Sequence, residues 1–171
     1  MKKKEAPAQA FVDGVLTVGG EPVVEVRRST IHGRGVFARR TIAAGTPILE
    51  YLGERIDDAE ARVRYAETSG KKVTYLLRVD ARTSIDGAVG GSAARFVNHG
   101  CLPSCELLLH KKRVFLITRR RVRPEEELTF DYHLVVRGDV DLETAREAAP
   151  CKCGARRCRG TMLNDDRPVR R

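Results

Sequence analysis

The chain has 171 residues, of which 42% are hydrophobic and 32% charged. That length suits one globular domain, and no apolar run approaches the roughly 20 residues that span a bilayer, so we expect no membrane-spanning segment. The net charge of +9 comes from 24 Arg and 8 Lys against 23 acidic residues. Such a basic surface favours polyanions and predicts nucleic-acid contact, although arginine enrichment can also reflect genome composition alone.

The first 21 residues are predicted to form an N-terminal extension. Lysines at positions 2–4 are followed by a short apolar stretch that Asp13 interrupts, which is not typical of a secretory signal. We therefore expect a reducing, cytoplasmic environment. We also expect the chain to be a monomer or a weak dimer.

Gly and Pro punctuate the following segments, and the apolar stretches between them are short, which is typical of strands joined by turns. Strands are predicted at 23–27, 36–38, 47–51, 74–79, 106–110, 114–119 and 128–130. A first helix begins at Asp57 or Asp58, runs to about residue 68 and ends at Gly70. Three apolar residues of this helix, Ala59, Val63 and Ala66, fall on one face.

A second helix is predicted over 141–149, and Pro150 ends it because proline has a fixed ring and no N–H. The fold class is therefore mostly β with short helices. The main domain is predicted over 22–133, and a linker with the second helix over 134–150, of which 135–140 is mobile. A cysteine motif over 151–164 and a basic tail over 165–171 complete the chain.

Three cysteines near the C-terminus, Cys151, Cys153 and Cys158, form a C-x-C-x4-C cluster. Five cysteines in all, in a chain without an export signal, argue against a disulfide framework. Thiolates at this spacing are typical of tetrahedral zinc, with reduced surface thiols as the alternative. A fourth ligand must come from a distance, and Cys101 and Cys105 are both candidates.

Three further segments carry residues suited to binding or catalysis. They are the Gly-x-Gly turn at 32–35, the stretch 95–105 with an Asn-His pair and two cysteines, and the stretch 127–132, which ends in Phe130, Asp131 and Tyr132. Each has a purely structural alternative when taken alone. These are an ordinary hairpin, a turn with a buried histidine, and a tyrosine packed at a strand end.

In order and spacing, these segments, together with 51–54, 75–80 and the cysteine cluster, resemble the SET-domain lysine methyltransferases with a post-SET motif, in the style of the trithorax-like branch. The resemblance covers about residues 22–163. It implies small β-sheets around a knot-like crossing, where the segments near Asn98 and Asp131 thread past one another, and a C-terminal zinc-bound post-SET segment. With no cysteine before residue 22, the chain resembles small bacterial or viral members more than the large eukaryotic regulators.

The resemblance implies a pocket for S-adenosyl-L-methionine. The residues that correspond to the family's cofactor-binding positions are His32, Gly33, Arg34, Gly35, Tyr75, Arg95, Asn98 and His99. It also assigns the zinc (Zn2+) ligands as Cys101, Cys151, Cys153 and Cys158, which leaves Cys105 as a buried spare thiol. Two positions depart from the family pattern and bear on cofactor affinity, because Gly100 stands for the usual Ser and Ser104 for the usual Asn.

Tyr132 corresponds to the family's catalytic tyrosine, and Tyr51, Phe130 and Tyr132 form the implied substrate channel. A lysine side chain is neutral in only about one molecule in 2,500 at pH 7. An apolar, aromatic channel favours the neutral amine that must attack the methyl group. Phe130 stands where the family has Phe or Tyr, and because it has no hydroxyl to hold a water, we expect di- or trimethylation.

The implied function is S-adenosylmethionine-dependent protein-lysine N-methylation of a histone or another basic, nucleic-acid-associated protein, with targets in chromatin or a host nucleus. The alternative is a catalytically inactive SET-fold module that binds a nucleoprotein partner. A basic histone tail needs an acidic groove, and the local candidates are Glu54, Asp57, Asp58 and Glu60. The same residues have a structural explanation as the start of a helix, where they stabilise its dipole.

Overall fold

The computed structural model describes residues 7–65, 74–135 and 140–164. These residues form short strands and two α-helices, so the predicted class, mostly β with short helices, is confirmed. None of the described helices is long and apolar enough to cross a membrane.

The strands are β1 (Gln9–Val12), β2 (Val15–Val18), β3 (Glu21–Pro22), β4 (Val24–Arg28), β5 (Arg34–Ala38), β6 (Pro47–Glu50), β7 (Glu54–Asp57), β8 (Leu76–Arg78), β9 (Thr83–Asp86), β10 (Asn98–His99), β11 (Cys105–His110), β12 (Arg113–Thr118) and β13 (Glu127–Phe130). The helices are α1 (Asp58–Tyr65) and α2 (Leu142–Ala148), and a 3-10 helix (Ala93–Phe96) precedes β10. All seven predicted strands are present, with ends shifted by one or two residues.

The largest sheet has the order β1-β2-β6-β12-β11, with β3 paired to β2. Its N-terminal strands lie in the segment predicted as an extension, so residues 9–21 are part of the folded domain. Val15 pairs with Leu49 of β6, and Leu16 is buried in the core. No strand was predicted there because β1 is exposed along its whole length and lacks the apolar alternation of a half-buried strand.

A second sheet has the order β10-β13-β5-β4 and carries most of the motif residues. β10 pairs in parallel with β13, which places Asn98 opposite Thr129 and His99 opposite Phe130. The core lies between this sheet and the largest one, and its fully buried members include Val36, Ile48, Leu49, Leu116 and Leu128. The two motif segments therefore lie side by side, as the resemblance implies, while their threading stays a prediction.

The third sheet, β7-β9-β8, carries α1. The helix begins as predicted, with the Asp57 carboxylate accepting a hydrogen bond from the Glu60 N–H at 2.8 Å, and its predicted continuation to residue 68 and Gly70 lies outside the described residues. The described part of the expected apolar face is not buried, since Ala59 is exposed and Val63 is 77% exposed, while Ala66 lies outside the described residues. Polar contacts attach the helix instead, because Arg64 and Tyr65 both donate to the fully buried carboxylate of Asp86.

The C-terminal segment returns to the domain beside the end of β13. α2 begins after Asp141, whose carboxylate accepts from two backbone N–H groups, and it ends before Pro150 as predicted. Residues 136–139 of the expected mobile linker lie outside the described residues. Leu134 pairs with Leu163 and Pro150 with Thr161 through isolated bridges. The Leu134–Leu163 bridge, with the buried Leu163, attaches the segment to the residues that follow β13, while the Pro150–Thr161 bridge lies within the segment.

Candidate active site and metal centre

One cavity of about 640 Å³ collects nearly all the predicted site residues, and its size is typical of ligand pockets. The predicted residues in its wall are His32, Gly33, Arg34, Tyr51, Tyr75, Arg95, Asn98, His99, Phe130 and Tyr132, together with the metal ligand Cys151. Gly35 alone among the predicted cofactor residues is not in the wall, because it lies behind the turn. The structure thus brings the residues together, while their individual roles stay predictions.

The turn before β5 is held from behind by a polar network. The Asn98 amide donates to the carbonyl oxygens of His32 at 3.2 Å and Arg34 at 3.0 Å, and to the Glu127 carboxylate at 2.8 Å. The Ser29 hydroxyl donates to the same carboxylate at 2.8 Å. A side chain at Gly35 would place its Cβ 2.3 Å from the Glu127 carboxylate. Glycine there therefore permits this close approach, and Glu127 supports the turn without lining the cavity.

A second wall of the cavity combines guanidinium groups with aromatic rings. The Arg34 guanidinium lies 4.1 Å from the centre of the Phe96 ring, and the Tyr75 ring meets Phe96 edge to face at 5.8 Å. Arg95 donates to the Gly87 carbonyl oxygen at 2.9 Å, while its buried Nε has no hydrogen-bond partner within the described ranges. A methyl donor with an aromatic base and a polar amino-acid end fits this wall, because the rings can stack on the base and the unpaired polar group can bind the polar end.

Two of the predicted channel residues, the buried Phe130 and the half-buried Tyr132, form an aromatic cluster with His99. The Tyr132 ring centre lies 4.8 Å from that of Phe130 and 5.4 Å from that of His99. The Tyr132 hydroxyl donates to the Val97 carbonyl oxygen at 3.0 Å. On the opposite side, the Tyr51 hydroxyl donates to the Tyr75 carbonyl oxygen at 2.8 Å. Both tyrosine hydroxyls are therefore fixed by backbone acceptors at the cavity wall.

Burial sets the protonation of this cluster. It raises the pKa of Tyr132 and of Tyr51 well above the usual value near 10, so both hydroxyls stay neutral. Burial also lowers the pKa of His99 to about 4, despite the carboxylate of Asp131 3.6 Å away. The neutral His99 ring accepts the Tyr132 N–H at Nδ1, 3.2 Å away, which leaves the proton on Nε2. That Nε2 lies 3.4 Å from the sulfur of Cys101.

Four cysteines form the candidate metal centre. The Sγ atoms of Cys101, Cys151, Cys153 and Cys158 all lie within 4.8 Å of one another. The Cys101 sulfur is 3.6 Å from that of Cys151 and 3.9 Å from that of Cys158. Zn–S bonds of about 2.3 Å in a tetrahedron require sulfurs about 3.8 Å apart, so the donor set fits a closed structural site.

Backbone N–H groups surround the same sulfurs. The Arg159 N–H points to Cys101 and the Gly160 N–H to Cys158, each with N···S at 3.4 Å. Such N–H···S contacts orient and stabilise thiolate ligands. Cys105 is outside this cluster and fully buried, as predicted for the spare thiol, and burial raises its pKa to about 11.

Both departures from the family pattern contact the same side chain. A Cβ at Gly100 would lie 2.6 Å from the Thr129 hydroxyl, so Thr129 occupies the space that a larger residue at 100 would need. The Ser104 hydroxyl accepts the Thr129 N–H at 3.0 Å, and Ser104 is buried. Gly100, Ser104 and Thr129 therefore complement one another behind the cavity.

An ion pair joins the C-terminal segment to the end of β13. Arg159 donates two hydrogen bonds to Asp131, at 2.5 and 2.8 Å. Burial opposes the charge of Asp131, but this guanidinium and the His133 N–H hold the pKa of the carboxyl below its usual range. Neither residue of this pair was predicted as part of the site.

Sequence reasoning also missed several residues of the cavity wall. They are Ile31, Thr74, Leu76, Leu77, Ala94, Phe96, Val97, Leu134, Pro150, Lys152 and Met162. Most are apolar and carry no chemistry of their own, so no pattern distinguishes them from core residues. Only their position beside a motif, as for Phe96 after Arg95 and Lys152 after Cys151, was a usable signal.

The four acidic residues near α1 are engaged with the helix and its surroundings. Glu54 and Glu60 pair with Arg64, and Asp58 pairs with Arg78. Asp57 caps the helix, as described above, and none of the four is among the described residues that line the cavity. Their arrangement favours the helix-start explanation over an acidic groove.

Comparison with known proteins agrees with this geometry. Residues 33–133 match the SET domain family model. Over 141 residues, the chain is 39% identical to histone-lysine N-methyltransferase 2B of Homo sapiens, an alignment that covers 80% of this chain and 5% of that protein. Over 153 residues, it is 40% identical to the H3 lysine-4 specific histone-lysine N-methyltransferase of Eremothecium gossypii, covering 86% of this chain and 15% of the relative.

A third relative is histone-lysine N-methyltransferase trithorax of Drosophila virilis, 37% identical over 143 residues, which covers 80% of this chain and 4% of that protein. The chain belongs to the SET domain family. Within that family its similarity is to the trithorax-like histone-lysine N-methyltransferases, as the motifs predicted. It spans between 4% and 15% of the length of these three relatives.

Proposed function

We propose that this chain is an S-adenosyl-L-methionine-dependent protein-lysine N-methyltransferase that acts on a histone or another basic, nucleic-acid-associated protein. The observation that carries the proposal is the cavity, which Asn98 and the turn before β5 line together with the aromatic side chains of Tyr51, Phe130 and Tyr132. The name of the Eremothecium gossypii relative specifies histone H3 lysine 4, which supports a histone as the substrate class. The donor supplies a methyl group on a sulfonium, which a neutral amine can attack.

The chain's own residues would provide alignment and a dry channel rather than a base. Tyr132 and Tyr51 stay protonated because burial raises their pKa values, so neither can accept the lysine proton at neutral pH. The aromatic walls would disfavour the ammonium by desolvation, and the amine would lose its proton to solvent before it attacks. Tyr132 would then orient the neutral amine toward the methyl group.

Two measurements separate this proposal from the inactive binding module. Calorimetric titration with S-adenosylmethionine should show saturable one-to-one binding, and histone H3 incubated with labelled donor should gain label on lysine. Binding of S-adenosylmethionine without transfer of label to histones or to cell-extract proteins would favour the inactive binding module. Absence of both would remove the proposal.

Phe130 is proposed to set the number of methyl groups at two or three. It is buried against Tyr132 and has no hydroxyl that could hold a water in the channel. We expect Phe130→Tyr to shift the product of exhaustive reactions to monomethyl-lysine, as measured by mass spectrometry. Phe115→Tyr, on β12 and outside the cavity, is the matched control and should leave the distribution unchanged. Monomethyl-lysine alone from the unmodified protein would contradict the assignment.

Nucleic-acid contact is proposed through a basic surface that we define as the loops 39–41 and 119–123. Reciprocal backbone hydrogen bonds between Ile42 and Val122, at 3.0 and 2.9 Å, hold these loops together. Six exposed arginines project from them, at positions 39, 40, 119, 120, 121 and 123. A cluster of this kind suits the phosphates of duplex DNA, on which a nucleic-acid-associated substrate would lie.

The basic surface predicts salt-dependent DNA binding. The triple variant R40S/R121S/R123S should bind a short DNA duplex more weakly, with a salt slope shallower by about 2.7 if each arginine neutralises one phosphate. The matched control, R62S/R82S/R157S, removes three exposed arginines elsewhere and should bind like the unmodified chain. Equal losses in both variants, measured by fluorescence anisotropy, would show that only net charge matters.

We propose a cytoplasmic protein of bacterial type, a monomer or weak dimer, that acts on chromatin or in a host nucleus. The four clustered thiols support a reducing compartment, because free thiols persist there. Fractionation of the source cells and sedimentation of the purified protein test both statements.

A further inference from the structure

The end of β13 leaves the tyrosine of the site outside any strand. β13 ends at Phe130, so its ladder hydrogen bonds stop two residues before Tyr132. Beyond that point the described contacts of Tyr132 are its N–H to His99, its hydroxyl to Val97, and its ring contacts. The position of this residue therefore depends on what holds the backbone on either side of it.

Asp131, between Phe130 and Tyr132, supplies such a hold. Its carboxylate receives both terminal nitrogens of Arg159, at 2.5 and 2.8 Å, and also the His133 N–H at 3.2 Å. The two side chains are only 13% and 22% exposed. A planar, bidentate pair at this depth is more rigid and less screened than an exposed ion pair.

The other end of this pair stands inside the cysteine cluster. Arg159 follows Cys158 directly, and its N–H points at the sulfur of Cys101. A second route runs from Cys101 through the His99 ring to the Tyr132 N–H. The cysteine cluster is thus connected to Tyr132 from both sides.

We propose that the pair Asp131–Arg159 is a positioning clasp, which fixes Tyr132 in the channel only when the C-terminal segment is folded on its metal. The inference rests on the proposed function and deepens it. Neither Asp131 nor Arg159 is among the described residues that line the cavity, so the pair acts on the reaction only by positioning Tyr132. The clasp makes the geometry of the tyrosine depend on the thiolate cluster.

Kinetics with a histone H3 peptide provide the first test. Arg159→Gln and Asp131→Asn should each lower kcat about tenfold, which corresponds to about 1.4 kcal/mol, while KM changes less than twofold. The double variant should also fall about tenfold, because either change alone removes the clasp. Arg157→Gln, two residues away and exposed, is the control and should keep full activity. Multiplicative losses in the double variant, or equal losses in the control, would overturn the clasp.

Hydrogen exchange provides a readout that does not need activity. In zinc-loaded, donor-free protein, Arg159→Gln should speed exchange of the Tyr132 N–H about tenfold, while the amides of Leu116 and Leu128 in the core exchange as before. Zinc content should stay at one per chain. Unchanged protection of Tyr132, or loss of zinc in step with protection, would overturn the clasp in favour of a structural ion pair.

The clasp and the proposed function can fail independently of one another. If the unmodified protein transfers no methyl group, the function fails, while the exchange experiment still decides the clasp.

Should Arg159→Gln fail to fold, Arg159→Lys keeps the charge and loses the bidentate fork. It should then show an intermediate exchange rate for Tyr132, and a rate equal to that of the unmodified protein would contradict the clasp.

Discussion

Replacing Tyr132 by phenylalanine is expected to lower methyl transfer at least about 100-fold, equivalent to roughly 2.7 kcal/mol, because the hydroxyl is the one group of this ring that can orient the amine. The ring contacts with Phe130 and His99 do not involve the hydroxyl. The variant loses the hydroxyl's hydrogen bond to the Val97 carbonyl oxygen, which costs roughly 1 kcal/mol, but it should still fold and bind the methyl donor. Label transfer to histone H3, measured at saturating donor and peptide, gives the size of the loss in kcat.

The control for Tyr132→Phe is Tyr65→Phe. The Tyr65 hydroxyl donates to Asp86 at 2.8 Å, and Tyr65 is not among the described residues of the cavity wall. Removing it should lower the melting temperature by a few degrees, since a lost hydrogen bond costs roughly 1 kcal/mol, and leave kcat unchanged. Undiminished labelling by Tyr132→Phe would remove its assigned role. A donor affinity that falls as much as kcat would move that role from the amine to donor binding.

Apolar, turn-bounded strands could be predicted from the sequence because local composition decides them. β12 carries Val114, Leu116 and Thr118 toward the core at every second position, and its sequence shows a short continuous apolar run over 114–117 with polar or charged residues on either side. β7 and β9 could not be predicted in this way. Their residues are largely charged or polar, and pairing with each other and with α1 determines their conformation.

The candidate site could be predicted where chemistry-bearing side chains lie close in sequence. Asn98, His99 and Cys101 occupy one short segment, β10 and the residues directly after it, and the structure keeps them together. Long-range contacts were not visible in the same way. Arg159 and Asp131 are 28 residues apart, and nothing in either segment marks the other as its partner. The Glu127 carboxylate behind the turn lies within a motif, yet its role depends on contacts to Ser29 and Asn98 that only the fold provides.

Removing zinc is expected to abolish methyl transfer before it unfolds the β core. The donor set fits a tetrahedral thiolate site, and three of its four cysteines lie in the segment 151–158. The stretch 150–163 around it is held to the residues that follow β13 by the Leu134–Leu163 bridge and the Arg159–Asp131 ion pair, and the Pro150–Thr161 bridge closes the stretch on itself. It supplies Pro150, Cys151, Lys152 and Met162 to the cavity wall. Without the metal, the bonds that hold the four sulfurs together are lost, which should release the segment and open one side of the pocket.

Chelation should therefore produce two separate transitions, first the loss of zinc, donor affinity and activity, and later the unfolding of the sheets. A zinc indicator should record loss of one metal per chain, and donor affinity should fall at least about tenfold, roughly 1.4 kcal/mol, in parallel with activity. Circular dichroism of the sheets should persist to higher chelator concentrations, because Val36, Leu116 and Leu128 pack without the C-terminal segment. Because thiol ligands must be deprotonated, the same chelator concentration should remove more zinc as the pH is lowered.

Two cysteine variants test whether zinc content and donor binding depend on the four clustered cysteines or on thiols in general. Cys101→Ser removes the ligand that joins the C-terminal segment to the loop after His99, so it should lose zinc and donor binding together. Cys105→Ala changes a buried thiol outside the cluster and should keep one zinc and normal donor affinity, with some loss of stability from the small cavity it leaves. A metal-free protein with full donor affinity would break the link between cluster and pocket. Collapse of the sheets at the first loss of zinc would show instead that the metal supports the whole domain.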